Sequence, residues 1–466
     1  MIQVHILGYV KLTNKQRDQI RDNPKHAKRR ISSETEAIHH QRLLDVTNKI
    51  VASSAIAAPT DGYSGDLATD ETILLTLTAR PGHGTRDELK HSIDPDTNYW
   101  RGKDEKDTEK GFGYGITYIV RVPRPYAKKI PNVVVGMHIG NITGGAVAPV
   151  REALTRADRH QLTLNKSDRY FVADRGYTVK NDWAPMCIEE KYKMSCDYSK
   201  NFLKDVEIPD TNQSGAPAPG PRIISGKIRC PGATGLHESQ MPNTKIPVMG
   251  MSVKEIIKHD RKIRYIDSLA MPIRNGLKKV KSGTSGRPSK TVAPEKWSIT
   301  VQCPAVLGMV NCINAPQVNG LRTRGIPDVP NPPHPNNPEL RPRACMQNSV
   351  TYQLDITDIK RLQAETYGSF IQQDIYQTVR SANERNHSQA KDANSGGIIQ
   401  REWVEVRGIA KVGLLVSLGT AVTTQNLIQS EKTKDGNTLY GKRETARRKR
   451  ERIFAKLKKS GEEHLA

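Results

Sequence analysis

The sequence predicts an α/β protein: a mixed sheet with flanking helices, interrupted by a β- and loop-rich insertion. Three observations predict it. Short apolar runs near 70–78, 113–122, 132–140 and 169–174 read as strands, with one helical pattern between the third and the fourth. From about 200 to 350 that pattern gives way to short strand-like pieces set among Pro-, Gly- and Ser-rich linkers. A helical period resumes beyond Ser369. The order strand, strand, strand, helix, strand suits a layered α/β sheet.

Each element has its own local reason. Residues 36–52 place Ile38, Leu43, Leu44, Val46 and Ile50 at roughly helical spacing. ILLTLTA (73–79), ITYIVRV (116–122) and NVVVGMHIG (132–140) are apolar and β-branched, as strands require. PVREALTRADRH (149–160) sets Val150, Leu154 and Ala157 on one side of a helix. YFVAD (170–174) is a short apolar strand running into Arg-Gly-Tyr. Linkers at 209–222, 281–290 and 327–343 frame the strand candidates 222–230 and 296–303. Ser369 can cap a helix that runs to about Asp392, and 403–429 is a second helix-compatible stretch. The pattern divides the chain into an N-terminal helical segment (1–66), a first part of the core (67–200), the β-rich insertion (201–350), a helical second part (351–430) and a basic tail (431–466).

Composition excludes several classes. Hydrophobic residues make up 36% and charged residues 26%, so a core can form, and aromatics at 5% leave it largely aliphatic. No apolar run approaches the ~20 residues that span a bilayer, and the N-terminus has no secretory pattern. Six cysteines without a CxxC pair are too few for a disulfide scaffold, so a reducing cytoplasm is the expected compartment. Lys plus Arg number 72 against 49 Asp plus Glu, a net charge of +23. An excess that large points to a polyanionic partner. From Lys442 to Lys459, ten of eighteen residues are Lys or Arg, among them Arg447, Arg448, Lys449 and Arg450, a charge run suited to nucleic-acid phosphate.

Three acids stand where phosphoryl-transfer chemistry could use them. On the 369–392 helix, Glu384, His387 and Lys391 fall within about 40° of Arg380 at about 100° per residue, a single polar stripe. Ile371, Ile375, Val379 and Ala382 fall opposite. An ordinary i,i+4 ion pair is the bland reading of the stripe. Asp174 ends an apolar strand and Gly176 permits a tight turn after it; a capping aspartate is the alternative. Asp70 lies in ATDETI at another strand, while Asp94 and Asp96 in SIDPDTNYW compete for the same role or form a simple turn. Three carboxylates on separate elements suit two Mg²⁺ or Mn²⁺ ions about 3.5–4 Å apart, which activate one oxygen and stabilise another.

These residues resemble those of the DDE transposases of bacterial insertion sequences. Arg380-x3-Glu384-x6-Lys391 is similar to the last three positions of that family's Y-x2-R-x3-E-x6-K signature, although Tyr376 stands one residue too far upstream. VADRGY is similar to the strand at the second acid, and ATDETI to the Asp-x-Thr strand at the first. The resemblance covers about 65–195 and 345–427. It implies an RNase H-like mixed sheet, catalytic and Mg²⁺-binding roles for Asp70, Asp174 and Glu384, and phosphate binding by Arg380 and Lys391. It also implies double-stranded DNA as partner, a homodimer on that DNA, no membrane, and a cytoplasmic, nucleoid-associated place in a bacterium. The implied reaction is metal-dependent cleavage and strand transfer. A related nuclease without strand transfer and a non-catalytic DNA-binding remnant are the other readings.

Cys230, Cys303, Cys312 and Cys345 lie in or beside the insertion, two of them followed by Pro. Four thiolates could close a structural Zn²⁺ site. The spacings are long, and buried reduced thiols are the simpler reading.

Overall fold

The structure is a computed structural model that describes residues 33–75, 97–100, 111–124, 130–164, 168–233, 251–280, 295–315, 325–391, 406, 408–433 and 449–456. The chain forms two compact units, Met1–Tyr177 with Thr378–Thr433, and Thr178–Gln377 with Lys434–Ala466. In chain order the first unit holds α1 (Ser33–Ala55), β1 (Leu67–Leu75), β2 (Asn98–Trp100), β3 (Gly111–Arg121), β4 (Val133–Gly140), α2 (Val147–Arg159) and β5 (Tyr170–Ala173). A single turn, α3 (Arg175–Thr178), ends this stretch. The second unit holds α4 (Trp183–Glu189), β6 (Lys193–Ser195), β7 (Val206–Glu207), β8 (Asp210–Thr211), β9 (Pro217–Ala218), β10 (Arg222–Ile224), β11 (Lys227–Arg229) and α5 (Val253–Ser268). It continues with β12 (Ile273–Lys279), β13 (Trp297–Gln302), α6 (Arg343–Met346), β14 (Ser349–Leu354) and α7 (Ile356–Ile359). The division falls after Gln377 within α8 (Phe370–Lys391), and α9 (Ile409–Thr433) belongs to the first unit.

The first unit is a mixed sheet covered by helices. Strand β1 pairs antiparallel with β3 from Leu67↔Arg121 to Leu75↔Gly113. On its other side it pairs parallel with β5, Leu67↔Phe171 through Thr69↔Ala173. Strands β4 and β2 both pair antiparallel with β3, at Gly115–Arg121 and at Gly111–Gly113. Every residue of β4 is buried, because α1, α2 and α9 all pack against it. Helix α2 lies close: a Cβ on Gly136 would stand 2.4 Å from the Ala153 carbonyl oxygen, so glycine is needed there.

Side chains of α1 complete the hydrogen bonding of β4. The buried Asn48 amide donates to Met137 O at 2.8 Å and accepts from Met137 N at 2.9 Å. His40 Nε2 lies 2.7 Å from Ile139 O. Backbone groups that would otherwise be buried without partners are thereby satisfied. At the start of β1, the buried Asp66 carboxylate takes both ends of the Arg124 guanidinium at 2.9 Å and accepts from Tyr170 N at 2.9 Å. One acid therefore ties the start of β1, the segment after β3 and the start of β5.

The second unit contains three small antiparallel sheets: β7–β10–β11, β12–β13–β14 and the β8–β9 hairpin. Strands β13 and β14 alternate buried residues with half-buried or exposed ones, with Trp297, Ile299, Val301, Val350, Tyr352 and Leu354 inward. The buried Asp210 carboxylate accepts from Arg343 Nε, Ala344 N and Tyr352 OH at 2.9–3.1 Å. The expected β- and loop-rich insertion also contains α5, a sixteen-residue helix started by a Ser252–Glu255 capping box and seated on Ile256, Ile263 and Ile266.

Helix α8 also differs from the expected pattern. Ile371 is exposed, and His387, expected on the polar stripe, is buried and stacked on Tyr118 at 5.2 Å. The buried arc takes in Asn383, Asn386 and His387 besides Ile375, Val379 and Ala382. A hydropathy pattern assigns amides and imidazoles to water; packing against β3 placed one of them inside.

Candidate functional site

The site is built from strand register. The parallel ladder ends at Thr69↔Ala173, and the next residue on each strand is an aspartate, Asp70 and Asp174. Two carboxylates from distant stretches of sequence thus leave the sheet side by side. Both line a small cleft with Ala68, Thr69, Val172, Ala173, Arg380 and Asn383.

Local chemistry shapes each acid. Asp174 caps the turn that follows β5: Gly176 N donates to its Oδ1 at 2.6 Å. A Cβ on Gly176 would come within 2.9 Å of that oxygen, so glycine leaves the carboxylate its place. Asp70 Oδ1 accepts from Glu71 N at 2.8 Å. Glu71 has a different task. Its carboxylate accepts from Thr143 N, Thr143 Oγ1 and Gly145 N at 2.8–3.0 Å and pins the loop before α2. Tyr177 is buried, and burial together with Asp70, Glu71 and Asp174 pushes its hydroxyl well above the usual tyrosine range. It stays a neutral phenol beside the carboxylates.

One buried oxygen on a residue lining this cleft, Asn383 Oδ1, has no hydrogen-bond partner among the described residues. Buried polar atoms are rarely left so. Two carboxylates with an amide oxygen form a hard oxygen donor set of the kind that takes Mg²⁺ or Mn²⁺. Among the described residues no three or more His, Cys, Asp or Glu side chains already stand in a metal-holding arrangement.

The structure brings Asp70, Asp174 and Arg380 to one cleft. Glu384 is outside the lining and is held by Arg380, whose Nε donates to Glu384 Oε1 at 2.9 Å on an exposed face. Lys391 lies two turns from Glu384 and near His387, whose imidazole pKa is lowered by burial and then by this lysine. Asn383 was not singled out by the sequence; its one signal was adjacency to Glu384 on the border of the polar stripe. Asp94, Asp96, Arg447 and Arg448 lie outside the described residues. Lys449 is exposed, whereas Arg450 corrects the expectation of a free basic tail. Arg450 is buried, pairs with Asp374 Oδ2 at 2.5 Å and lies over the Phe370 ring at 4.5 Å. An arginine already desolvated and paired is not presented to phosphate.

Cys230, Cys303 and Cys345 are buried and Cys312 is half-buried, all in the second unit and all reduced. No described helix is long and apolar enough to cross a membrane. No protein-family model matches the chain, and none of the curated proteins matches it.

Proposed function

We propose that the chain is a DNA transposase with an RNase H-like catalytic sheet, acting by metal-dependent cleavage and strand transfer at Asp70 and Asp174. The observation that carries this reading is the register Thr69↔Ala173, which sets the two aspartates beside each other beyond a parallel strand pair. The strand order β4–β3–β1–β5, antiparallel except for the last pair, supports the RNase H-like assignment. The net charge of +23 supports DNA as the partner, bound in the nucleoid by a dimer.

Asp70 and Asp174 would hold Mg²⁺ with help from the Asn383 oxygen. When bound, the metal supplies charge stabilisation at the phosphodiester and a more acidic attacking hydroxyl. Arg380 would bind the phosphate entering the cleft and position Glu384, the third carboxylate. One observation favours the non-catalytic DNA-binding reading: Glu384 is engaged by Arg380 and not by the cleft.

The test is Mg²⁺-dependent cleavage of duplexes taken from the DNA flanking the coding sequence, followed by a strand-transfer assay. Asp174→Asn should abolish both while DNA binding persists. Cleavage that survives Asp174→Asn refutes the assignment. Binding without cleavage by the unaltered chain selects the non-catalytic reading, and cleavage without joining selects a nuclease.

A further inference from the structure

Four cysteines from four separate segments of the second unit are brought to one place by main-chain hydrogen bonds. Cys230 N donates to Leu269 O at 3.0 Å, and Gln302 N donates to Pro272 O at 2.8 Å, so the 269–272 segment joins the chain at Cys230 to that at Cys303. Cys303 N donates to Asn348 O at 3.3 Å, at the end of the β13–β14 ladder, next to α6 with Cys345. Asn331 N donates to Gly232 O at 3.2 Å and Val329 N to Asn311 O at 2.9 Å, which ties the turn after Cys230 to the segment of Cys312.

The thiols are near enough to act on one another. Cys303 and Cys312 lie within electrostatic reach of Cys230, and all three within reach of Cys345. Hydrogen-bond donors surround the sulfurs. The N–H groups of Gly232 and Ala233 donate to Cys230, those of Asn314 and Ala315 to Cys312, and the Asn314 amide to Cys345. A thiol is a weak acceptor and a thiolate a strong one. Donors of this kind, gathered around buried sulfurs, suit negative charge on sulfur, and a divalent cation is what would permit that charge inside the protein.

We propose that Cys230, Cys303, Cys312 and Cys345 form a structural tetrathiolate zinc site that staples the second unit. The four ligands meet the closed Cys₄ pattern of structural zinc, with each sulfur about 2.3 Å from the ion. Among the described residues no three of these side chains stand in a metal-holding arrangement, so binding has to draw the sulfurs together. The site has a clear use. This unit is built from two- and three-stranded sheets and short helices, whose separate segments a closed metal site would tie together. The proposal does not depend on the transposase reading.

The test uses the full chain purified without chelator. Metal analysis should find about one zinc per chain, with no iron, and stripping it should lower the melting temperature. Cys312→Ser and Cys303→Ser should each lose the zinc, while Cys187→Ser and Cys196→Ser keep it. Because Cys303→Ser alters a buried position, the unaltered chain gives an independent readout. Cobalt exchanged into it should show sulfur-to-metal charge transfer and the visible bands of a tetrahedral thiolate site. A chain that holds no zinc after zinc supplementation, or that carries disulfides among these cysteines, overturns the proposal. So does a zinc content unchanged in both Cys303→Ser and Cys312→Ser.

Discussion

Arg380 donates from Nε to Glu384 Oε1 at 2.9 Å, one helical turn apart, and of the two only Arg380 lines the cleft of Asp70 and Asp174. Both side chains are about half exposed, so the pair contributes less than ~1 kcal/mol to stability. Arg380→Ala and Glu384→Gln should therefore unfold at nearly the same temperature as the unaltered chain. Under the proposed function, Glu384→Gln should lower cleavage by about 10² or more with binding retained, whereas Arg380→Ala should weaken both. A large fall in melting temperature for either variant would show that the pair is structural.

The cleft should report its metal directly. Mg²⁺ or Mn²⁺ should raise the melting temperature of the first unit, because an ion bound only by the folded state stabilises it. Asp70→Asn and Asp174→Asn should each remove most of that shift, and Asn383→Ala part of it. A shift unchanged in Asp70→Asn would exclude Asp70 as a ligand and turn attention to Asp94 and Asp96.

Asn48 should matter for stability well beyond its size. It serves both the N–H and the carbonyl of Met137 inside the protein. Asn48→Ala leaves two buried backbone groups without partners and should cost roughly 2–4 kcal/mol in urea unfolding. A loss below ~1 kcal/mol would mean that water reaches β4.

Acid should destabilise the first unit through two histidines. Burial, with His40 and Arg156, lowers His138 to about 3, and burial, with Lys391, lowers His387 to about 3. Both are neutral when folded, while their unfolded counterparts take a proton near pH 6.5. The unfolded state therefore binds more protons between about pH 6.5 and 3, and stability falls as pH falls through that window. His387→Phe keeps a ring against Tyr118 and removes one of the two sites, so its stability should fall less steeply over the same range. An identical slope would place the acid sensitivity elsewhere.

Arg450 and Lys449 should separate structure from DNA binding within one stretch. Arg450→Ala leaves the half-buried Asp374 without this partner and should lower the melting temperature. Lys449 is exposed, and its removal should leave stability unchanged. If DNA is bound here, Lys449→Ala should reduce the slope of log K against log salt by up to about 1. The reverse pattern would return Arg450 to the phosphate-binding role.

The sequence by itself determined the elements of the first unit. Apolar runs and 3.6-residue apolar patterns are local properties, and β1, β3, β4, α2, β5 and α8 all lie within a few residues of the stretches that show them. Helix α5 was equally legible through Ser252, Glu255 and its isoleucines, yet the linkers around it drew the reading toward strands. The tertiary structure decided the rest. Whether Asp70 stands beside Asp174 depends on the register of two strands a hundred residues apart, which no local pattern encodes. That His387, Asn383 and Arg450 are buried follows from partners remote in sequence, because a polar side chain enters the interior only where other elements surround it. The gathering of four widely spaced cysteines has the same origin: the ladders and turns of the second unit set their positions, and their spacing along the chain does not.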